Sequence, residues 1–109
     1  MGILTYDSSL VARIDDRPLA HLQAVVWAKI RRGESFAFSW VDETGEYARA
    51  SVWINPSISL SFQYDDAAPI QLNQEWLRAL TKAANSATGL RLVDEPDHGR
   101  ATVGEQKKN

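Results

Sequence analysis

Four kinds of side chain in this sequence are equipped for chemistry: two histidines, adjacent carboxylate pairs, four lysines, and a set of arginines and aromatics among serines. His21 and His98 could act as general bases if a carboxylate oriented them and a nucleophile stood beside them. His21 falls on the predicted polar side of a helix and His98 in a polar C-terminal stretch, and no nucleophile is placed next to either. Asp15-Asp16, Asp42-Glu43 and Asp65-Asp66 carry enough charge to hold a metal or to divide acid and base roles. Each pair sits at a predicted turn or helix start, where Asp bonds local backbone N–H groups. Turn and cap formation is therefore the expected use. The chain has no cysteine, which excludes disulfides, thiolate metal sites and thiol catalysis. Gly33-Glu34-Ser35 is too short to read as a phosphate-cradling loop. No catalytic, metal or cofactor residue is assigned, and no cofactor is expected.

The arginines, aromatics and serines form a pattern. Phe36, Phe38 and Trp40 alternate with Ser35, Ala37 and Ser39. Ala48, Ala50, Val52 and Ile54 alternate with Tyr47, Arg49, Ser51 and Trp53. Ile58, Leu60, Phe62 and Tyr64 alternate with Ser57, Ser59, Ser61 and Gln63. Strand side chains point to opposite faces with period two, so each segment has an apolar face and a wetter one. A sheet covered on one side and open on the other is implied. The candidate interaction surface is that open face: Arg13, Tyr47, Arg49, Ser51, Trp53, Ser59, Ser61 and Gln63.

The remaining elements must hold that sheet. Ile3–Tyr6 and Leu10–Ile14 read as strands joined at Asp7-Ser8-Ser9, a hairpin. Asp15 and Asp16 before Arg17-Pro18 predict a helix start, with the helix running to about Arg32 and stopping at Gly33. At 100° per residue Leu19, Leu22, Val26 and Ile30 share a stripe, with His21, Ala28 and Arg32 opposite. Asn73 is placed to cap a second helix, whose buried stripe is Trp76, Leu77, Leu80, Ala83 and Ala84. Leu90–Val93 reads as a last strand. The short connection at Asn55-Pro56 predicts antiparallel neighbours on either side of it. The fold class expected is α+β: a two-layer sandwich of one antiparallel sheet of five or six strands, in the order ββαβββαβ, with two helices on one face. Residues 1–96 are expected to form a single domain and 97–109 a disordered tail, since little after Glu95 is apolar.

Composition narrows the function classes. Hydrophobic content of 44% over 109 residues supplies one modest core. The net charge of -2 argues against a protein whose main task is gripping phosphate backbone. No apolar run reaches membrane-spanning length, the N-terminus lacks a signal-peptide pattern, and cysteine is absent, so a cytoplasmic location without membrane partners is expected.

Three stretches carry a family resemblance: Arg17 to Trp40 (RPLAHLQAVVWAKIRRGESFAFSW), Val52 to Phe62 (VWINPSISLSF) and Ala84 to Pro96 (ANSATGLRLVDEP). Through them the chain resembles small actinobacterial proteins of unknown function, of the Microbacteriaceae type, some relatives of which carry the label "ATP-dependent DNA ligase". The resemblance implies no site residues. Adenylating ligases use a lysine in a Lys-x-Asp-Gly motif, and none of Lys29, Lys82, Lys107 and Lys108 has Asp-Gly two residues on. The expectation is a non-catalytic interaction module with an unidentified protein partner, self-associating as a homo-oligomer through the serine-rich face. The first alternative is a single-stranded nucleic-acid accessory protein using Arg13, Arg49 and Trp53, in association with a DNA ligase. An enzyme with an unrecognised site comes last.

Overall fold

Two consecutive residues in the left-handed region, Asp7 at φ 52° and Ser8 at φ 63°, turn the chain back on itself after its first strand. Asp is among the few non-glycine residues that take this conformation readily. The computed structural model describes residues 1–42 and 47–97. Along it run β1 (Gly2–Tyr6), β2 (Leu10–Ile14), α1 (Asp16–Arg31), β3 (Phe36–Val41), β4 (Arg49–Ile54), β5 (Leu60–Gln63), α2 (Gln74–Ala84) and β6 (Leu90–Arg91). This is the element order the periodicities predict. The connection from Glu43 to Glu46, and the expected tail beyond Asp97 with His98, lie outside the described residues.

The sheet differs from the expectation. The strands form two three-stranded sheets, ordered β2-β1-β5 and β4-β3-β6, not one sheet of five or six. β5 does not pair with β4. The chain turns at Asn55, whose side chain accepts from the Ser57 N–H at 2.8 Å and whose carbonyl accepts from the Ile58 N–H at 3.1 Å. It then carries β5 across to β1, where Leu4 lies opposite Phe62 and Tyr6 opposite Leu60. The second departure is β6, which runs parallel to β3 and pairs only Leu90 with Phe38 and Arg91 with Ser39. Alternation reports which face of a strand is apolar but not which strand lies beside it, so both pairings escaped the pattern. Gly89 permits the second one. Its φ is +85°, and a Cβ there would sit 2.7 Å from the Ala37 carbonyl oxygen. Tyr6 ties the sheets together by donating its hydroxyl to the Trp53 carbonyl at 2.7 Å.

α1 packs on β1, α2 packs on β3 and β6, and the helices pack on each other. The core contains Leu4, Leu19, Leu22, Val26, Phe36, Phe38, Trp40, Ile54, Trp76, Leu80 and Leu90, with Ile30, Val52, Leu60 and Phe62 partly buried against it. α1 is buried on more than its apolar stripe. His21, Val25 and Lys29, at positions i, i+4 and i+8, form a second buried line. His21 is therefore not on a wet face as its polarity suggested. It is fully buried, with its ring 4.4 Å from that of Trp76.

Both ring nitrogens of His21 are used. Nδ1 donates to the Arg17 carbonyl at 2.8 Å, and Nε2 accepts from the Asn73 N–H at 2.8 Å. These partners require the neutral ring with its proton on Nδ1. Asn73 caps α2, as its position predicted, with Oδ1 accepting from the Glu75 and Trp76 N–H groups. Its Nδ2 donates to Glu95 at 2.9 Å and to the Pro96 carbonyl at 3.1 Å. Arg17 grips the same Glu95 through Nε at 2.9 Å and Nη2 at 2.6 Å, a bidentate pair. Glu95 and Pro96, at the end of the expected domain, are thereby anchored. At the far end of α1, buried Lys29 donates to Asn85, the residue after α2, at 2.5 Å and pairs with Glu34 at 2.8 Å. His21 meets the start of α2 and Lys29 its end, so the two helices run in the same sense. Asp15 precedes α1 without capping it by side chain. Asp16 instead accepts from the Asp65 and Asp66 N–H groups at 3.3 and 3.0 Å.

Two predictions follow from this packing. Leu80 is fully buried between α1 and the second sheet. Leu80→Ala is expected to cost about 2–5 kcal/mol of unfolding free energy in urea titrations, and a loss below about 1 kcal/mol would remove Leu80 from the core. The second concerns acid. Burial lowers the His21 pKa from 6.5, so the unfolded chain takes up that proton first. The stability held by neutral His21 is complete above pH 6.5 and declines as pH falls below it. Arg17, then Asn73, hold Glu95 at about 2, so its contribution is present above pH 4.5 and lost as pH falls toward 2. Melting temperature measured against pH should fall in these two separate windows. His21→Gln should abolish the upper one only.

Candidate interaction surface and the cleft beside it

The face of β4-β3-β6 turned away from the helices is set by register. Trp53 lies opposite Ala37, Ser51 opposite Ser39 and Arg49 opposite Val41. Arg91 joins the same face beside Ser39. Directly opposed strand residues project to the same side, so these seven share one surface. At its centre the Ser39 and Ser51 hydroxyls are 2.7 Å apart. Around them Val41 and Tyr47 are each 64% exposed and Trp53 is 58% exposed.

The eight residues singled out from the sequence do not form one surface. Arg49, Ser51 and Trp53 lie on β4 in the second sheet, and Tyr47 lies two residues before it. Arg13 lies on β2, and Ser61 and Gln63 on β5, in the first sheet, with Ser59 one residue before β5. Arg13 and Gln63 both sit opposite Ile3 on their shared neighbour β1, so they project to one side of the first sheet. All eight are exposed. Sequence reading missed Ser39, Val41 and Arg91 as members of the face. Ser39 and Val41 were legible from the phase of β3, whereas Arg91 depends on the parallel pairing of β6.

A cleft of about 740 Å³ opens between the sheets. β2 contributes Arg13 and Ile14, the start of α1 contributes Pro18, and β3 contributes Phe38 through Val41. Arg49, Arg91 and Leu92 complete most of its wall. It exists because β6 leaves β3 after Ser39, while β2 ends the other sheet. A second hollow, about 450 Å³, lies at Lys29, Glu34, Phe36 and Trp53. Its lysine is already engaged by Glu34 and Asn85 and lies 5.6 Å from the centre of the Phe36 ring. Arg32, then Lys29, hold the Glu34 carboxyl at about 2. Among the described residues no group of three or more His, Asp or Glu side chains is gathered closely enough to hold a metal ion. No described helix is long and apolar enough to cross a membrane.

No curated protein and no solved structure matches this chain. A family model, that of a domain of unknown function designated DUF7882, matches residues 1–95. That span holds every element from β1 to β6 and the Arg17–Glu95 pair that fastens the C-terminal segment, and the chain accordingly belongs to the DUF7882 family.

Proposed function

We propose that this chain is a non-catalytic interaction module that pairs with a second copy of itself through the open face of β4-β3-β6. The observation that carries the reading is the exposure of Val41 and Tyr47 at 64% and Trp53 at 58% around a patch of small serines. Large aromatics are enriched at the centres of protein interfaces, where their burial supplies most of the binding energy. Small hydroxyl side chains let an opposing surface approach closely. β4 is also an outer strand, and its only charged residue is Arg49 at the first position. Outer strands that stay unpaired are commonly guarded by charges, prolines or bulges along their length. A two-fold axis near Ser51 would set β4 against its own copy and cover both Trp53 rings.

A second reading rests on Arg49 and Arg91. Both share the face with Trp53, and neither is in an ion pair with a described carboxylate. An exposed indole beside guanidiniums with no described ion-pair partner suits a stacked base and its phosphate. The resemblance to actinobacterial proteins, some labelled ATP-dependent DNA ligase, would give such a surface an accessory role at DNA ends in the cytoplasm.

Sedimentation separates the readings. The native chain should sediment as a dimer at micromolar concentration. Ser51→Glu should yield a folded monomer, because like charges would meet across the axis. Trp53→Ala should weaken association by roughly 2 kcal/mol or more. A native chain that stays monomeric, yet binds oligothymidine in a salt-sensitive manner lost in Trp53→Ala, would replace self-association with the second reading.

A further inference from the structure

The cleft between the sheets has a donor inventory that the fold does not use. Arg13, Arg49 and Arg91 reach it from three strands in two sheets. None of the three is in an ion pair among the described residues, and the one hydrogen bond from a guanidinium is Arg91 Nη1 to the Thr88 hydroxyl at 3.2 Å. Trp40 also lines the cleft. It is only 7% exposed, and its indole N–H is buried with no acceptor among the described residues. A buried donor left without a partner costs about 1–3 kcal/mol, so a native structure that keeps one calls for an explanation. Asp15 and Asp94 share the lining, and neither lies within ion-pair distance of an arginine. The cleft is therefore lined by three guanidiniums with no ion-pair partner among the described residues and by two carboxylates, and the Trp40 indole N–H beside it is itself enclosed.

From this arrangement we infer that the cleft is a binding site for a phosphate-bearing ligand. A carboxylate has two oxygens and one charge and is satisfied by a single guanidinium fork. Three forks suit a group with more acceptors and up to two negative charges, which a phosphate monoester provides. The volume, about 740 Å³, is within the range of small-molecule sites and exceeds what a bare phosphate would fill. Ile14, Pro18 and Leu92 give the rest of the ligand an apolar wall. The site overlaps the open face at Ser39, Val41, Arg49 and Arg91, while Arg13 and Trp40 lie off that face.

The indole N–H of Trp40 supplies the test. Its ¹H–¹⁵N resonance is assigned by its loss in Trp40→Phe, then followed while AMP, octathymidine or citrate is added to the native chain. AMP or octathymidine should move the peak saturably. Arg91→Gln, which changes one exposed side chain, should weaken that response at least about tenfold. AMP binding should also weaken as pH falls through about 6, where the phosphate loses its second charge. A response to AMP identifies a free phosphate ester, and a response to octathymidine alone identifies the backbone of a strand. Either supports the site. A peak that no phosphate probe moves, that citrate moves equally, or that responds unchanged in Arg91→Gln would overturn it. Sedimentation of the same samples reports self-association independently.

Discussion

The hydrogen bond from the Asn73 N–H to His21 Nε2 is the joint on which the second half of the molecule hangs. It lies in the core, where a polar pair is tolerated only if every partner is satisfied. Here each is. His21 spends its other nitrogen on Arg17, and Asn73 spends its side chain on the first turn of α2 and on the segment Glu95–Pro96. Trp76, whose ring lies tilted against His21, adds a bond from its indole to the Val93 carbonyl at 2.8 Å. The C-terminal segment is thus strapped to the start of α2 at two levels. That strap sets the line of β6, and β6 places Arg91 on the open face and at the cleft.

The fold was legible where a residue's neighbours are close in sequence. Asp7-Ser8, Asn73 and Gly33 act locally, and turn, cap and stop fall where they were expected. The strand faces were legible too, because Phe36, Phe38 and Ile54 must be covered whatever covers them. Strand partners were not. Leu60 and Phe62 have the same inward phase whether β5 lies beside β4 or beside β1, and only the turn at Asn55 decides. His21 misled for a related reason. A helical wheel marks it polar, but a second helix packing on that side converts a polar position into a buried one. Its signal in the sequence was faint: His21, Val25 and Lys29 repeat every four residues, and each of the two polar members finds an Asn at one end of α2.

The candidate surface was half legible for the same cause. Tyr47, Arg49, Ser51 and Trp53 follow from the alternation of one strand and remain together. Arg13, Ser59, Ser61 and Gln63 were joined to them by the assumption of one sheet. Splitting that sheet removes them from the face, but it creates the seam lined by Arg13, Arg49 and Arg91. A continuous sheet would have closed this seam with backbone hydrogen bonds and buried it under ordinary apolar side chains. The two sheets part where β6 leaves β3, and the residue just past the parting is Trp40.

That position explains why the unsatisfied donor and the unpaired cations occur together. Trp40 belongs to the core by phase, as Phe38 does, and its ring stacks on Phe38 at 5.3 Å. Phe38 is flanked by β4 and β6, while Trp40 has β4 alone. Phenylalanine at this place would pack its ring with no donor to satisfy. Indole brings an N–H into a site where no second strand covers it, and the cleft beside it is lined by three arginines and two aspartates. Polar groups held in a gap of the scaffold, rather than within its layers, are free to meet something other than the protein itself.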